Sequence, residues 1–352
     1  MVYTQEEINL IAVDSFSELA YREKKLFLAS LNNGENSAKY KDELIKCCGE
    51  GVYNKLREKF YDGQFRTKLL SSLDKIKVKC ITIKGADYPE SLRHVKNPPL
   101  VLYARGNCGL LKQRIFCVVG SRKTAPQTLE ACKNISARLS EHFVVATGIA
   151  DGADTAAALG ALPSGKIICV LPCGHNFSSS TLRKVEEAGL SLSEFPPATR
   201  TQSYTFSMRN SVLAGLSEGV LVVSAAIHGG ALSTAAYAAD YGKDVFAFPY
   251  SVGIASGEGC NNLIKSGAYL CDRVEDILSV MGVDYVGGGK DDVQLDVDER
   301  AVIALLKEEG EMHAEKLAAA TGKKLFELTA ICSSLEIKGL IVRIAGNKYS
   351  II

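Results

Sequence analysis

Two stretches of the sequence put cations where a folded chain can bind an anion. VVGSRKTAP ends an apolar run at Gly120, then supplies Ser121, Arg122 and Lys123 before a helix expected near Pro126. A glycine lets the backbone come close to a phosphate, and a helix N-terminus offers free N–H groups and a positive dipole end. The second stretch, FSMRNSVLAGLS, sets Arg209 and Asn210 at the expected start of a helix that leads into the apolar run GVLVVSAA. Its flanking residues, Phe206 and Met208, are apolar, so the local chain is expected to be partly buried and the Arg209 guanidinium held in place. A held guanidinium suits a phosphate. An ordinary turn with solvated basic residues is the competing reading of both stretches.

Three further loops add to this pattern. In SAAIHGGALSTAAYA, Gly229 and Gly230 open a helix after a strand, a backbone nest for an anion. His228 precedes them and reads as structural rather than catalytic, and Lys243 follows the helix. In ATGIADGADTAAALGAL, Gly148 and Gly152 bracket a tight turn, while Asp151 and Asp154 read as helix caps. That spacing is neither a dinucleotide fingerprint nor a phosphate-binding Walker loop. In SGEGCNNLIKSGA, Asn261 shapes a loop and Lys265 lies on the short helix after it.

Catalytic arrangements are missing. There is no Gly-x-Ser-x-Gly elbow and no His-Glu-x-x-His pair. Cys169, Cys173 and His175 in CVLPCGHN suggest a metal, but Cys169 lies inside an apolar run and no fourth ligand follows. No catalytic residue, metal or cofactor is called for.

These loops need strands and helices to hold them. From Val78 to Leu278 the runs KCITI, RIFCVVG, FVVAT, KIICVLP, GLSLSEF, GVLVVSA, DVFAFP and AYLC alternate with Ala-rich helical segments. Nearly continuous apolar strands spaced by helices predict a parallel sheet covered on both faces, a Rossmann-like doubly wound α/β domain. Ligands of such sheets bind beyond the carboxyl ends of the strands, which is where the loops above fall.

Around this domain, residues 1–75 carry apolar positions three and four apart and predict small helices, of a SAM or helix-hairpin-helix-like kind. The Gly-rich acidic stretch DYVGGGKDDVQLDVDE reads as a linker, placed at 283–297. Residues 298–352 predict three helices and a Gly-centred hairpin, a winged-helix domain. Its third helix, KKLFELTAICSSLEIK, holds no Arg, Asn or Gln to read bases, which argues against reading a duplex groove. The α/β domain then spans 76–282.

The totals fit this layout. A chain of 352 residues predicts two or three domains. Its net charge of +1 excludes a protein that coats DNA through overall basicity, so any nucleic-acid site must be a local patch. The eleven cysteines are odd in number, scattered, and form no Cys-x-x-Cys pair, as in a reduced cytoplasmic protein. The N-terminus does not read as a signal peptide, and no apolar run is long enough to span a bilayer.

Taken in order, ITIKGADYPESL with NPPLVLYARGN, VVGSR, TGIADGAD, FSMRN with LAGLS, LVVSAA with GGALSTAAYA, GKDVFAFP and SGEGCNNLIKSGA resemble the DNA-processing protein A family (DprA, also called Smf). The likeness covers about 200 residues and extends more weakly to both ends. It implies an extended Rossmann-like domain that binds single-stranded DNA with little sequence preference and without catalytic turnover. It also implies a homodimer, help in loading a RecA-type recombinase, and protection of incoming strands in natural transformation. The family's basic pocket corresponds to Gly120, Ser121, Arg122, Arg209, Asn210, Lys243 and Lys265 here. With the residues read from loop chemistry, the candidate DNA-binding set adds Lys123, Gly148, Gly229, Gly230 and Asn261. Base stacking would draw on Phe177, Tyr204, Phe206 or Tyr250.

Some positions depart from the family pattern. Asp151 stands where an Arg is usual, Ser211 where a second Arg follows Arg-Asn, Ala158 for a His, Ser224 for a Glu, and Tyr250 for a Gly. The losses at 211 and 224 remove opposite charges, so a lost ion pair is one expectation. The Asp151 change should weaken DNA binding. Two other functional classes stay open. A nucleotide-hydrolysing enzyme of related fold would need a catalytic Glu beside the glycine pair, which GGALSTAAYA lacks. A protein-interaction scaffold would bind no anion.

Overall fold

The computed structural model describes residues 3–31, 36–283, 295–338, 340–344 and 346–351. The chain divides into two compact units, Met1–Val283 and Asp284–Ile352. Most of the expected linker, residues 284–294, lies outside the described residues.

The first unit begins with five helices: α1 (Gln5–Asp14), α2 (Tyr21–Leu31), α3 (Ser37–Cys48), α4 (Glu50–Tyr61) and α5 (Gly63–Lys75). Thr4 and Glu7 form a reciprocal capping box that starts α1. These helices bury Phe16, Phe27, Tyr53 and Phe60 together. They also pack on the sheet, because Leu10, Ile11 and Leu73 share a core with Val78, Val101 and Tyr103. The Tyr103 hydroxyl donates to Asp14 at 2.8 Å, and Lys24 pairs with the same carboxylate at 3.0 Å.

The sheet that follows holds β1 (Lys79–Thr82), β2 (Val101–Gly106), β3 (Ile115–Gly120), β4 (Val144–Thr147), β5 (Ile167–Val170), β6 (Leu190–Ser193), β7 (Gly219–Ser224), β8 (Asp244–Ala247) and β9 (Tyr269–Leu270). The helices among them are α6 (Glu90–Arg93), α7 (Pro126–His142), α8 (Ala153–Ala161), α9 (Ser180–Ala188), α10 (Ser203–Leu216), α11 (Ala231–Asp240), α12 (Glu258–Lys265) and α13 (Val274–Val280). All eight apolar runs named from the sequence are strands. The ninth, β2, was not among them. It pairs antiparallel with both β1 and β6, so one edge of the sheet is mixed rather than wholly parallel.

Strand order is β1-β2-β6-β5-β4-β3-β7-β8-β9. The chain winds outward from β3 through β4, β5 and β6, then crosses back to lay β7 on the other side of β3. That reversal opens a crevice between the carboxyl ends of β3 and β7. Both strands are almost wholly buried, which is why they read as unbroken apolar runs.

The second unit consists of α14 (Val297–Glu309), β10 (Met312–His313), α15 (Ala314–Thr321), α16 (Leu325–Ile337), β11 (Ile341–Ile344) and β12 (Lys348–Ile351). Val302, Leu317, Leu328, Leu335 and Tyr349 form its core. The expected three helices and hairpin are present, with the two-residue β10 added as a third strand beside β12.

Candidate nucleic-acid interface at the switch point

A cavity of about 460 Å³ opens at the β3–β7 crevice. One wall is the turn after β3. The Ser121 N–H donates to both the carbonyl and the hydroxyl of Ser224, at 2.9 and 3.0 Å. Thr124 closes the turn by bonding the Ser121 carbonyl at 2.8 Å and meeting the Ser224 hydroxyl at 2.6 Å. With its backbone so pinned, the turn leaves the Arg122 and Lys123 side chains exposed at the cavity. The Arg122 guanidinium lies 5.3 Å over the Phe206 ring, a cation–π contact that orients it.

The opposite wall is the first turn of α11, with Gly229, Gly230 and Thr234. Its dipole directs positive potential into the cavity. Asn210 ties this wall to α10 by donating to Ser233 Oγ at 2.7 Å and the Gly230 carbonyl at 3.3 Å.

Arg209 forms part of the cavity lining but is nearly buried, at 6% exposure. It pairs with Asp154 at 3.6 Å, and its Nε and Nη1 make no hydrogen bond. Burial pushes the Asp154 carboxyl above its ordinary value, while Arg209 and the backbone N–H groups of Gly120 and Ala150 oppose that shift. Gly148 makes room for the pair, since a Cβ there would stand 1.6 Å from Arg209 Nη1. Gly152 has φ +82°, and a Cβ on it would meet the carbonyls of Ser121 and Arg122 at 2.6 Å. That glycine lets the β4 loop pack under the β3 turn.

The structure therefore gathers Gly120, Ser121, Arg122, Lys123, Arg209, Asn210, Gly229 and Gly230 around one cavity, with Gly148 beneath it. It does not bring the other three candidates there. Lys243 precedes β8 at the level of Gly219, the amino end of the sheet, opposite the cavity. Asn261 spends its amide on the backbone of Tyr250, with two bonds of 3.0 Å. Lys265 is the last residue of α12, exposed, and the helix leads away from its anchor at the Ala225 carbonyl.

Other readings also change. α10 starts at Ser203, so Arg209 and Asn210 lie mid-helix and not at its N-terminus. They lie on its buried side while Met208 is exposed, the reverse of the usual pattern. Asp154 is not a cap, because Gly152 holds the N-cap position of α8. The Tyr250 hydroxyl donates to the Val223 carbonyl at 2.7 Å and its ring abuts Gly257, so it is not free to stack on a base. Ser211 bonds Tyr241 at 2.7 Å, whereas Ser224 bonds Ser121 and Thr124. The two serines share no partner, which removes the support for a lost ion pair. Thr234 is a lining residue that the sequence reading does not single out. Its signal is its place four residues after Gly230, on the face of α11 turned to the sheet.

His175 is buried against the Ser191 hydroxyl at 3.0 Å, and Cys169 is buried in β5. Among the described residues no three His, Cys, Asp or Glu side chains form a metal site. No described helix is long and apolar enough to cross a membrane.

Comparison with known proteins adds independent evidence. Residues 79–282 match the family model for DNA recombination-mediator protein A, and residues 290–347 match the DprA winged helix domain. The chain is 35% identical over 198 residues to the DNA processing protein DprA of Streptococcus pneumoniae, covering 54% of this chain and 70% of that protein. It is 30% identical over 279 residues to protein Smf of Escherichia coli, covering 74% of each. The crystal structure of the Streptococcus pneumoniae protein superposes with a TM-score of 0.67 at 28% identity, over 79% of this chain and 98% of that one. DNA processing protein A from Helicobacter pylori, described for its single-stranded DNA binding mode, gives 0.54 at 26% identity, over 60% and 99%. The family match covers the sheet that carries the switch-point cavity, and a second match covers the winged helix beyond it, so this chain belongs to the DNA recombination-mediator protein A family.

Proposed function

We propose that the chain binds single-stranded DNA at the switch-point cavity and acts as a recombination mediator, without chemical turnover. The observation that carries this reading is the convergence of Arg122, Lys123 and Arg209 with the N-terminus of α11 on one crevice. Those groups supply charge and N–H donors at a position where a backbone phosphate fits. Binding is favoured over hydrolysis because, among the described residues, the one carboxylate lining the cavity is Asp154, and Arg209 holds it. A general base needs a carboxylate free to reach substrate. The relative from Helicobacter pylori, described as binding single-stranded DNA, supports the same assignment. On this reading the protein works in the cytoplasm during DNA uptake, as a homodimer that passes strands to a RecA-type recombinase.

The test is fluorescence anisotropy of labelled oligo-dT across a salt series, with Arg122→Ala in parallel. The wild type should bind with affinity that falls as salt rises. The variant should bind more weakly, with the salt slope reduced by about 0.7 for each phosphate it no longer neutralises. Absence of binding at low salt would overturn the reading.

A further inference from the structure

Beside the anion cavity lies a smaller groove of about 140 Å³. The two share Arg122, Ala150, Phe206 and Arg209, but the rest of the groove is of another character. Ile149, Pro172, Cys173 and Phe177 make it apolar, and Thr201 supplies a hydroxyl at its edge. Phe177 is 41% exposed. Its loop is held in shape, because the Gly174 N–H donates to the Thr199 carbonyl at 2.9 Å and the Asn176 N–H to the Pro197 carbonyl at 3.1 Å. The groove is thus pre-formed, which lowers the ordering cost of filling it.

A cationic cavity opening directly into an aromatic groove matches a ligand with an anionic part and a flat apolar part joined by a short link. We propose that the groove takes a nucleobase stacked on Phe177, one nucleotide along from the phosphate in the main cavity. This rests on the single-strand reading above and gives the strand a path, along the carboxyl ends from β7 and β3 toward β4 and β5. Few polar groups face the base, so the groove accepts any base, as stacking platforms do. Arg122 belongs to both sites: it borders the phosphate and lies over Phe206, so one residue sets the spacing between them.

The test compares the full-length chain on oligo-dT and on an abasic oligomer of equal length and charge. Wild type should prefer oligo-dT by roughly fivefold to a hundredfold. Phe177→Ala should abolish most of that preference while the salt slope, which reads phosphate neutralisation, persists. Phe177→Trp should restore it, and circular dichroism would show that the variants fold. Equal binding of both oligomers by the wild type would overturn the base groove and leave the anion site standing. A preference that survives Phe177→Ala would overturn it as well. Binding of neither oligomer would defeat the single-strand reading itself, and the groove with it.

Discussion

Arg209 and Asp154 form an ion pair at 3.6 Å, with side chains 7% and 5% exposed, in space that exists only because residue 148 is glycine. Two charges have been taken out of water at the floor of the cavity, and each depends on the other. Removing one partner from such a pair leaves a buried charge uncompensated.

Arg209→Met should therefore destabilise the fold by about 3–5 kcal/mol. The double change Arg209→Met with Asp154→Leu should cost less than the single change, because no lone charge remains. Urea unfolding of the single and double variants would check this, and a double variant as weak as the sum of both singles would refute it. Gly148→Ala should also destabilise, since its Cβ would collide with Nη1.

Ser224→Glu should destabilise by itself. Ser224 is fully buried and its hydroxyl serves the β3 turn, so a larger side chain costs about 1–3 kcal/mol in overpacking before the buried charge is counted. Adding Ser211→Arg should not rescue it, because the two positions have separate partners. A double-mutant cycle should return a coupling within about 0.5 kcal/mol of zero. A large favourable coupling would mean that the two side chains reach each other.

Lys243→Ala should leave single-strand affinity and its salt slope at wild-type values, while Arg122→Ala lowers both. The reason is position: Lys243 stands at the amino end of β8, across the sheet from the cavity. A salt slope reduced by Lys243→Ala would show that the strand wraps around the sheet edge.

Glu194 should make stability depend on pH. Its Oε1 is buried without a hydrogen-bond partner, and burial pushes the carboxyl up to about 8, with Asp14 adding to the shift and Lys24 opposing it. Between its ordinary value of 4.5 and about 8, the native chain holds a proton that the unfolded chain has released. Stability from this group is complete at low pH and is lost as pH rises through that window. His175 acts in the opposite sense, held down to about 4 by burial and by Arg105, so its contribution is lost as pH falls below 6.5. The Glu194 effect is isolated by subtracting Glu194→Gln, and wild type should lose up to about 1.4 kcal/mol per pH unit relative to that variant. Parallel curves for the two proteins would disprove it.

Much of the fold was legible because buried parallel strands leave plain marks. Each of the eight named runs is short, apolar and flanked by turn residues, and the loops after β3 and β7 carried their glycines and cations in view. β2 was harder to read. VLYARG has an apolar stretch like the others, but nothing in it says that it runs antiparallel beside β6. The start of α10 was misplaced for a related reason. A helix that turns Arg209 and Asn210 inward and Met208 outward has no apolar face for periodicity to detect.

The sequence by itself determined which residue types were present at each strand end, since local patterning and backbone chemistry dictate strands, turns and helix starts. Only the tertiary structure decided which of those ends meet. Strand order brings the β3 turn to α11 and leaves Lys243 at the far end of the sheet. Asp154 changed from an expected cap to the buried partner of Arg209. Both outcomes depend on contacts between residues tens of positions apart, and periodicity within a single segment cannot encode them.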